Sequence, residues 1–180
     1  MADSPAAADA AADSPDDVPA PEVVHGAPVT YSHGQRVLHP RRDELDAIVR
    51  ALRDEDGYTM CLDVCGVDYL TFGADRGLPD GIEPERFEVV VTLMCQSDRN
   101  RVRLRVQVPG DDPTCPSLFD VHPGSEAMER EVYDMFGVVF QDHPDLTRIL
   151  MPEDWEGHPL RKDEAIGHIP VQFKATHDAR

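Results

Sequence analysis

Positive charge is scarce in this chain. There are 17 Lys and Arg residues against 35 Asp and Glu, a net charge of −18 over 180 residues. Six of the acidic residues (Asp3, Asp9, Asp13, Asp16, Asp17, Glu22) fall within residues 1–28, which hold no Lys or Arg. Beyond residue 28 the balance is still 29 acidic to 17 basic. Phosphate binding needs clustered Lys and Arg, so a nucleic-acid partner is not expected. Adhesion to anionic lipid is disfavoured for the same reason. No apolar run approaches the ~20 residues that span a bilayer. The N-terminus is acidic and lacks the apolar core of a signal peptide, which points to the cytoplasm. The four cysteines (Cys61, Cys65, Cys95, Cys115) form no CxxC and sit in or beside strand-like segments, so they read as reduced, mostly buried thiols. GxGxxG, GxxxxGK[ST] and GxSxG are all missing, which removes nucleotide cradles and nucleophile elbows.

What is present predicts an α+β fold: a small antiparallel or mixed sheet packed by helices, with a disordered acidic tail (1–28) and an extended C-terminal arm (141–180) flanking a domain at 29–140. Residues 1–28 carry few large apolar groups and cannot offset their ordering entropy. Leu45, Ile48, Val49 and Leu52 fall at i, i+3, i+4, i+7, which predicts an amphipathic helix over 41–54 after Pro40 and ended by Asp56-Gly57. Tyr58–Tyr69 reads as a strand with Met60, Leu62 and Val64 on one face, followed by a Gly- and Pro-rich loop over Phe72–Glu85. Phe87–Cys95 is apolar on both faces, as in a central strand. Arg101–Val108 alternates Val102, Leu104, Val106 and Val108 with Arg101, Arg103, Arg105 and Gln107, and the Asp98-Arg99-Asn100 turn makes these two a hairpin. The arginine row is either solvated surface or a partner face. Residues 30–38 are a candidate edge strand, and 109–116 a loop.

A second helix is predicted to start at a Ser125 N-cap and to stop at Gly137. Met128, Val132, Met135 and Phe136 would face the sheet. Arg130 lies at i, i+4 from both Glu126 and Asp134, and Glu129 and Glu131 adjoin it. The expected reading is an ion-pair network on a solvated face, with Arg130 neutralising its neighbours. General acid/base work is disfavoured, because it needs a pocket and a shifted pKa. From Asp142 on, regular structure gives way to His143-Pro144, Met151-Pro152, His158-Pro159 and Ile169-Pro170, each of which favours extended backbone. His143 and His158 show no HxH, HExxH or His-x3-His spacing, so backbone- or carboxylate-bonded histidine is preferred to a metal ligand. Leu146, Ile149, Leu150, Trp155 and Leu160 are too many large apolar groups to leave in water. This arm must lie on its own domain or on another chain, and its length and terminal position favour another chain. Residues from about 171 on are expected to fray.

The run EREVYDMFG (Glu129 to Gly137), followed by HPDLTRILMPEDWEGHPLRKD (His143 to Asp163), closely resembles the signature of the C subunit of respiratory complex I, the proton-pumping NADH–quinone oxidoreductase. Its pattern ERE-x-[YF]-D-[LM]-F-G is met by Glu129, Arg130, Glu131, Tyr133, Asp134, Met135, Phe136 and Gly137. Two departures stand out. Thr147 sits where many relatives have Arg, and Glu164-Ala165 sits where they often carry an aromatic and a proline. The resemblance implies a structural subunit of the peripheral arm, on the cytoplasmic side of the membrane and attached only through the complex. It implies no catalytic residue and no metal in this chain, with FMN and iron–sulfur clusters in sister subunits and quinone as the substrate of the whole. The expected partners are the quinone-site subunit and a cluster-bearing subunit. The expected interface is His143, Pro144, Leu146, Arg148, Leu150, Trp155, His158, Pro159, Leu160, Arg161, Lys162 and Asp163, braced by Glu129, Arg130, Glu131, Asp134 and Gly137. The matching subunit of a membrane-bound hydrogenase-type oxidoreductase is the alternative.

Overall fold

The computed structural model describes residues 22–73 and 75–164. The alternating segment forms a strand, β6 (Arg101–Val108), whose Val102, Leu104, Val106 and Val108 are buried. It runs antiparallel to β5 (Phe87–Met94) from Phe87↔Val108 to Met94↔Arg101, around a turn in which Arg99 takes φ 61°. The other edge of β5 pairs antiparallel with β4 (Met60–Asp68), which places β5 inside the sheet as its two-sided apolar pattern predicts. Helix α1 (Leu45–Asp54) buries all four residues of its stripe. A single turn of 3-10 helix over Arg42–Glu44 replaces the expected first turn of α-helix, with the Arg41 backbone N–H donating to the Glu44 carboxylate.

Pairing and register depart from expectation in four places. Residues 30–38 are two strands, β2 (Ala27–Ser32) and β3 (Gln35–Leu38), and β3 lies inside the sheet, parallel to β6. Alternation reveals a strand but not its neighbour. The expected boundary at 28/29 falls inside β2, and β1 (Val23–Val24) pairs with it. The short apolar groups Val23, Val24 and Ala27 gain a ladder that composition alone does not credit. Residues 1–21 of the predicted tail, and the predicted frayed end with Ile169-Pro170, lie outside the described residues. In β4 a register shift between Cys61 and Asp63 breaks the alternation. Val64 is buried, but Met60 and Leu62 are each 36% exposed. Such a bulge re-aims every side chain on one side of it. Finally, the loop over 109–116 contains a three-residue strand, β7 (Thr114–Pro116), parallel to β8 (Val139–Gln141). The result is a six-stranded mixed sheet in the order β1-β2-β3-β6-β5-β4 with a two-stranded ribbon beside it. Cys95 and Cys115 are buried, Cys61 is half-buried, Cys65 is exposed, and all four are free thiols.

Candidate docking site

Helix α2 (Glu126–Phe136) follows a 3-10 turn at Pro123–Ser125 and packs on β4. Val132 and Met135 are buried, and Met128 and Phe136 pack against the core beside them. The close approach depends on Gly66 in β4: a Cβ there would come within 2.7 Å of the Phe136 ring and 3.0 Å of Val132. No sequence signal marks that glycine. The helix ends at Gly137, which takes φ 72° and returns its N–H to the Tyr133 carbonyl at 2.8 Å. A side chain at 137 would also collide with His158 and Arg161. Left-handed backbone and crowding both call for glycine here.

Two of the helix's acids are not solvated. Glu129 and Asp134 are both fully buried. Glu129 accepts hydrogen bonds from the Ser117 hydroxyl (2.6 Å), the Leu118 backbone N–H (2.8 Å) and the Ser125 hydroxyl (2.8 Å). Ser125 therefore stands at the predicted N-cap position, but its hydroxyl serves the carboxylate instead of capping the helix. Asp134 receives the Arg148 guanidinium at 2.6 Å and three successive backbone N–H groups, from Ile149 (3.1 Å), Leu150 (2.7 Å) and Met151 (2.8 Å). Burial alone would raise its pKa, but the bonds from Met151, Arg148, Leu150 and Ile149 outweigh it and hold Asp134 below the ordinary carboxylate value. Arg130 does not bridge Glu126 and Asp134. It donates to the carbonyls of Thr147 and Arg148 and to the Thr147 hydroxyl, and only approaches Glu126, at 3.9 Å. Glu131 is exposed. Around Arg130 and Asp134 the predicted helix-surface network is thus replaced by bonds to the arm, and Glu129 is bonded within the domain instead.

Up to residue 164 the arm lies on its own domain. The His143 ring meets the Glu126 carbonyl at 3.2 Å, and Leu146 packs against the core. Further along, the arm satisfies the carbonyls that end α2. The Asp134 carbonyl meets His158 Nδ1 (3.0 Å) and Arg148 (3.3 Å), Met135 accepts the Leu160 N–H (3.0 Å), and Phe136 accepts Arg161 Nε (2.6 Å). A helix leaves its last four carbonyls without internal partners and gathers partial negative charge there. Two arginines, a histidine and an amide from the arm fill that end. A second anchor is Asp68 at the end of β4. Its carboxylate accepts Arg86 (3.1 Å) and the Lys162 N–H (2.9 Å), while Arg86 also binds Asp163 at 2.6 Å. Asp68 and Arg86 lie 94 and 77 positions from their arm partners Lys162 and Asp163, a separation that conceals their role in the sequence. Pro144, Lys162 and Asp163 are exposed, and Trp155 and Pro159 half-buried. Beside these, three large apolar side chains of the arm are left open: Ile149 (41% exposed), Leu150 (54%) and Leu160 (50%).

These anchors have a pH signature. Asp68, Asp134 and Asp163 all titrate below their ordinary value of 3.8, and His158 below 6.5 because burial disfavours its charged form. In both cases the unfolded chain binds protons more readily, so the stabilisation is complete above the ordinary pKa and declines as pH falls through the lowered one. Trp155 emission should stay constant above about pH 6.5, begin to change just below it, and change steeply below about 4. A flat profile to pH 3 would contradict these anchors.

Residues 38–168 match the family described as respiratory-chain NADH dehydrogenase, 30 Kd subunit. The chain is similar to the C subunit of the NADH-quinone oxidoreductase of Saccharopolyspora erythraea, 44% identical over 162 residues, covering 88% of this chain and 59% of the relative. The subunit of the same description in Herpetosiphon aurantiacus is 45% identical over 147 residues, 81% of this chain and 80% of the relative. The chain spans less than three-fifths of the length of the Saccharopolyspora and Salinispora relatives. Among solved structures, the trypsin-resistant fragment (1-134) of Nqo5 is 35% identical with a TM-score of 0.57, over 67% of this chain and 90% of the fragment. A chain of the membrane-bound sulfane sulfur reductase, an archaeal respiratory membrane complex, shares the fold at 20% identity, with a TM-score of 0.64 over 86% of this chain and 90% of that one.

Proposed function

Because the chain belongs to the family of the respiratory-chain NADH dehydrogenase 30 Kd subunit, we propose that it is a structural subunit in the peripheral arm of an NADH–quinone oxidoreductase. It braces the subunits around the quinone site from the cytoplasmic side of the membrane, and so supports electron transfer from NADH to quinone. Chemistry resides elsewhere in this reading: FMN and iron–sulfur clusters in sister subunits, and quinone as the substrate of the complex. No helix among the described residues is long and apolar enough to cross a membrane; in this reading attachment runs through the complex.

The observation that carries this reading is the apolar ridge of Ile149, Leu150 and Leu160. Polar bonds hold its backbone tightly, yet its side chains face outward. A fixed backbone presenting bare leucines loses little entropy on docking, and half-buried Trp155 elsewhere on the arm offers a large anchor. Leu150→Asp combined with Leu160→Asp should leave the fold intact, because both side chains are half or more exposed. Co-purification with the neighbouring subunits should fall at least ~10-fold. Full assembly of this variant would overturn the ridge as the docking surface.

A further inference from the structure

One basic depression stands apart from the arm. At the end of the sheet where the β2–β3 turn, the β5–β6 turn and the α1–β4 connection meet, an open hollow of about 420 Å³ is lined by Tyr31, Arg36, Tyr58, Arg99, Asn100 and Arg101. Most arginines of the outer row are used within the fold: Arg105 pairs with Glu88 at 2.8 Å, and Arg103 reaches Gln35. Arg99 and Arg101 are exposed and form no ion pair among the described residues. The nearby acids are already engaged, Asp98 by Asn100 and Asp56 by His25. In a chain of net charge −18, this hollow gathers three guanidinium groups, two of them outside any ion pair among the described residues.

One acid already stands in it. Glu22 accepts the Tyr31 hydroxyl at 2.7 Å and lies 3.6 Å from Arg36. Its backbone carbonyl is fixed by the Val29 N–H at 2.9 Å, so the chain N-terminal to it departs from the rim of the hollow. That segment, residues 1–21, carries Asp3, Asp9, Asp13, Asp16 and Asp17 and no Lys or Arg. Asp17 is five residues from Glu22, a reach of at most about 17 Å. We infer that the acidic segment 1–21 of this same chain docks on the Arg36–Arg99–Arg101 hollow.

Single exposed ion pairs are weak, and long side chains lose entropy in forming them. Several carboxylates tethered beside three guanidinium groups act together, however, at an effective concentration near the millimolar range. Such an occupant neutralises the patch and keeps other polyanions from it. The contact must be salt-sensitive, because its charges are solvent-exposed.

The test uses the full chain, labelled for amide NMR. At low ionic strength, Asp9→Asn, Asp13→Asn, Asp16→Asn and Asp17→Asn together should shift the amides of Arg36, Arg99, Asn100 and Arg101. Reciprocally, Arg99→Ser with Arg101→Ser should shift Asp13, Asp16 and Asp17. Both differences should vanish in about 1 M salt, where the screening length is about 3 Å. If the hollow keeps its shifts in the tail variant, the inference fails. It fails equally if inorganic phosphate perturbs the hollow to the same extent in the wild-type and tail-variant chains, since the site would then be open to any anion.

Discussion

Asp134→Ala should destabilise the chain by about 3 kcal/mol and free the arm from helix α2. Breaking a buried ion pair by removing one partner typically costs about 3–5 kcal/mol, because the other charge is left without compensation. Arg148 is that charge, with a side chain 14% exposed. The lower end of the range applies because Arg148 keeps the Gly157 and Asp134 carbonyls, and because Ile149 and Leu150 are exposed enough for water to reach their amides. Thermal or denaturant unfolding measures the loss, and limited proteolysis between 141 and 164 reports the freed arm. Arg130, the centre of the network expected from helix spacing, has a smaller role in this structure. Its removal gives up hydrogen bonds to Thr147 and Arg148 but strands no buried carboxylate. An Asp134→Ala chain that melts with the wild type would refute the anchoring of the arm by this carboxylate.

How this helix reads in sequence shows what periodicity conveys and what it omits. The wheel places Val132 and Phe136 toward the sheet correctly, because an apolar stripe has one low-energy direction. It places Asp134 in water because a helix wheel knows only one neighbour. Helix α2 has two, the sheet and the returning arm, so Asp134 is as buried as Val132 while Glu131 stays exposed. A carboxylate so placed keeps its charge by collecting N–H groups, and here they come from positions 148–151. The same reasoning explains β4. Its strand character is legible, but the bulge that turns Met60 and Leu62 outward has no mark in the pattern. Gly137 is legible because its chemistry is local, whereas Gly66 is not, because its reason is the Phe136 ring on another element.

Of the two surfaces open to the arm, its own domain or another chain, its length and terminal position favour ordering on another chain. The structure instead gives it internal bonds on both flanks, at Asp134 and at Asp68. A cut at residue 139 would therefore strip Asp134 of Arg148 and three amides, and Asp68 of the Lys162 N–H, rather than release a finished domain. Docking then becomes the meeting of a preformed apolar ridge with another surface, not the folding of a free segment. These two accounts differ most in the isolated chain. Amide hydrogen exchange at Ile149, Leu150 and Met151, measured without any partner subunit, separates them. Three N–H groups held by one buried carboxylate should exchange at least ~100-fold more slowly than the free peptide, equivalent to a local opening free energy of about 2.7 kcal/mol. Exchange at the free-peptide rate, slowing only on assembly, would contradict the account.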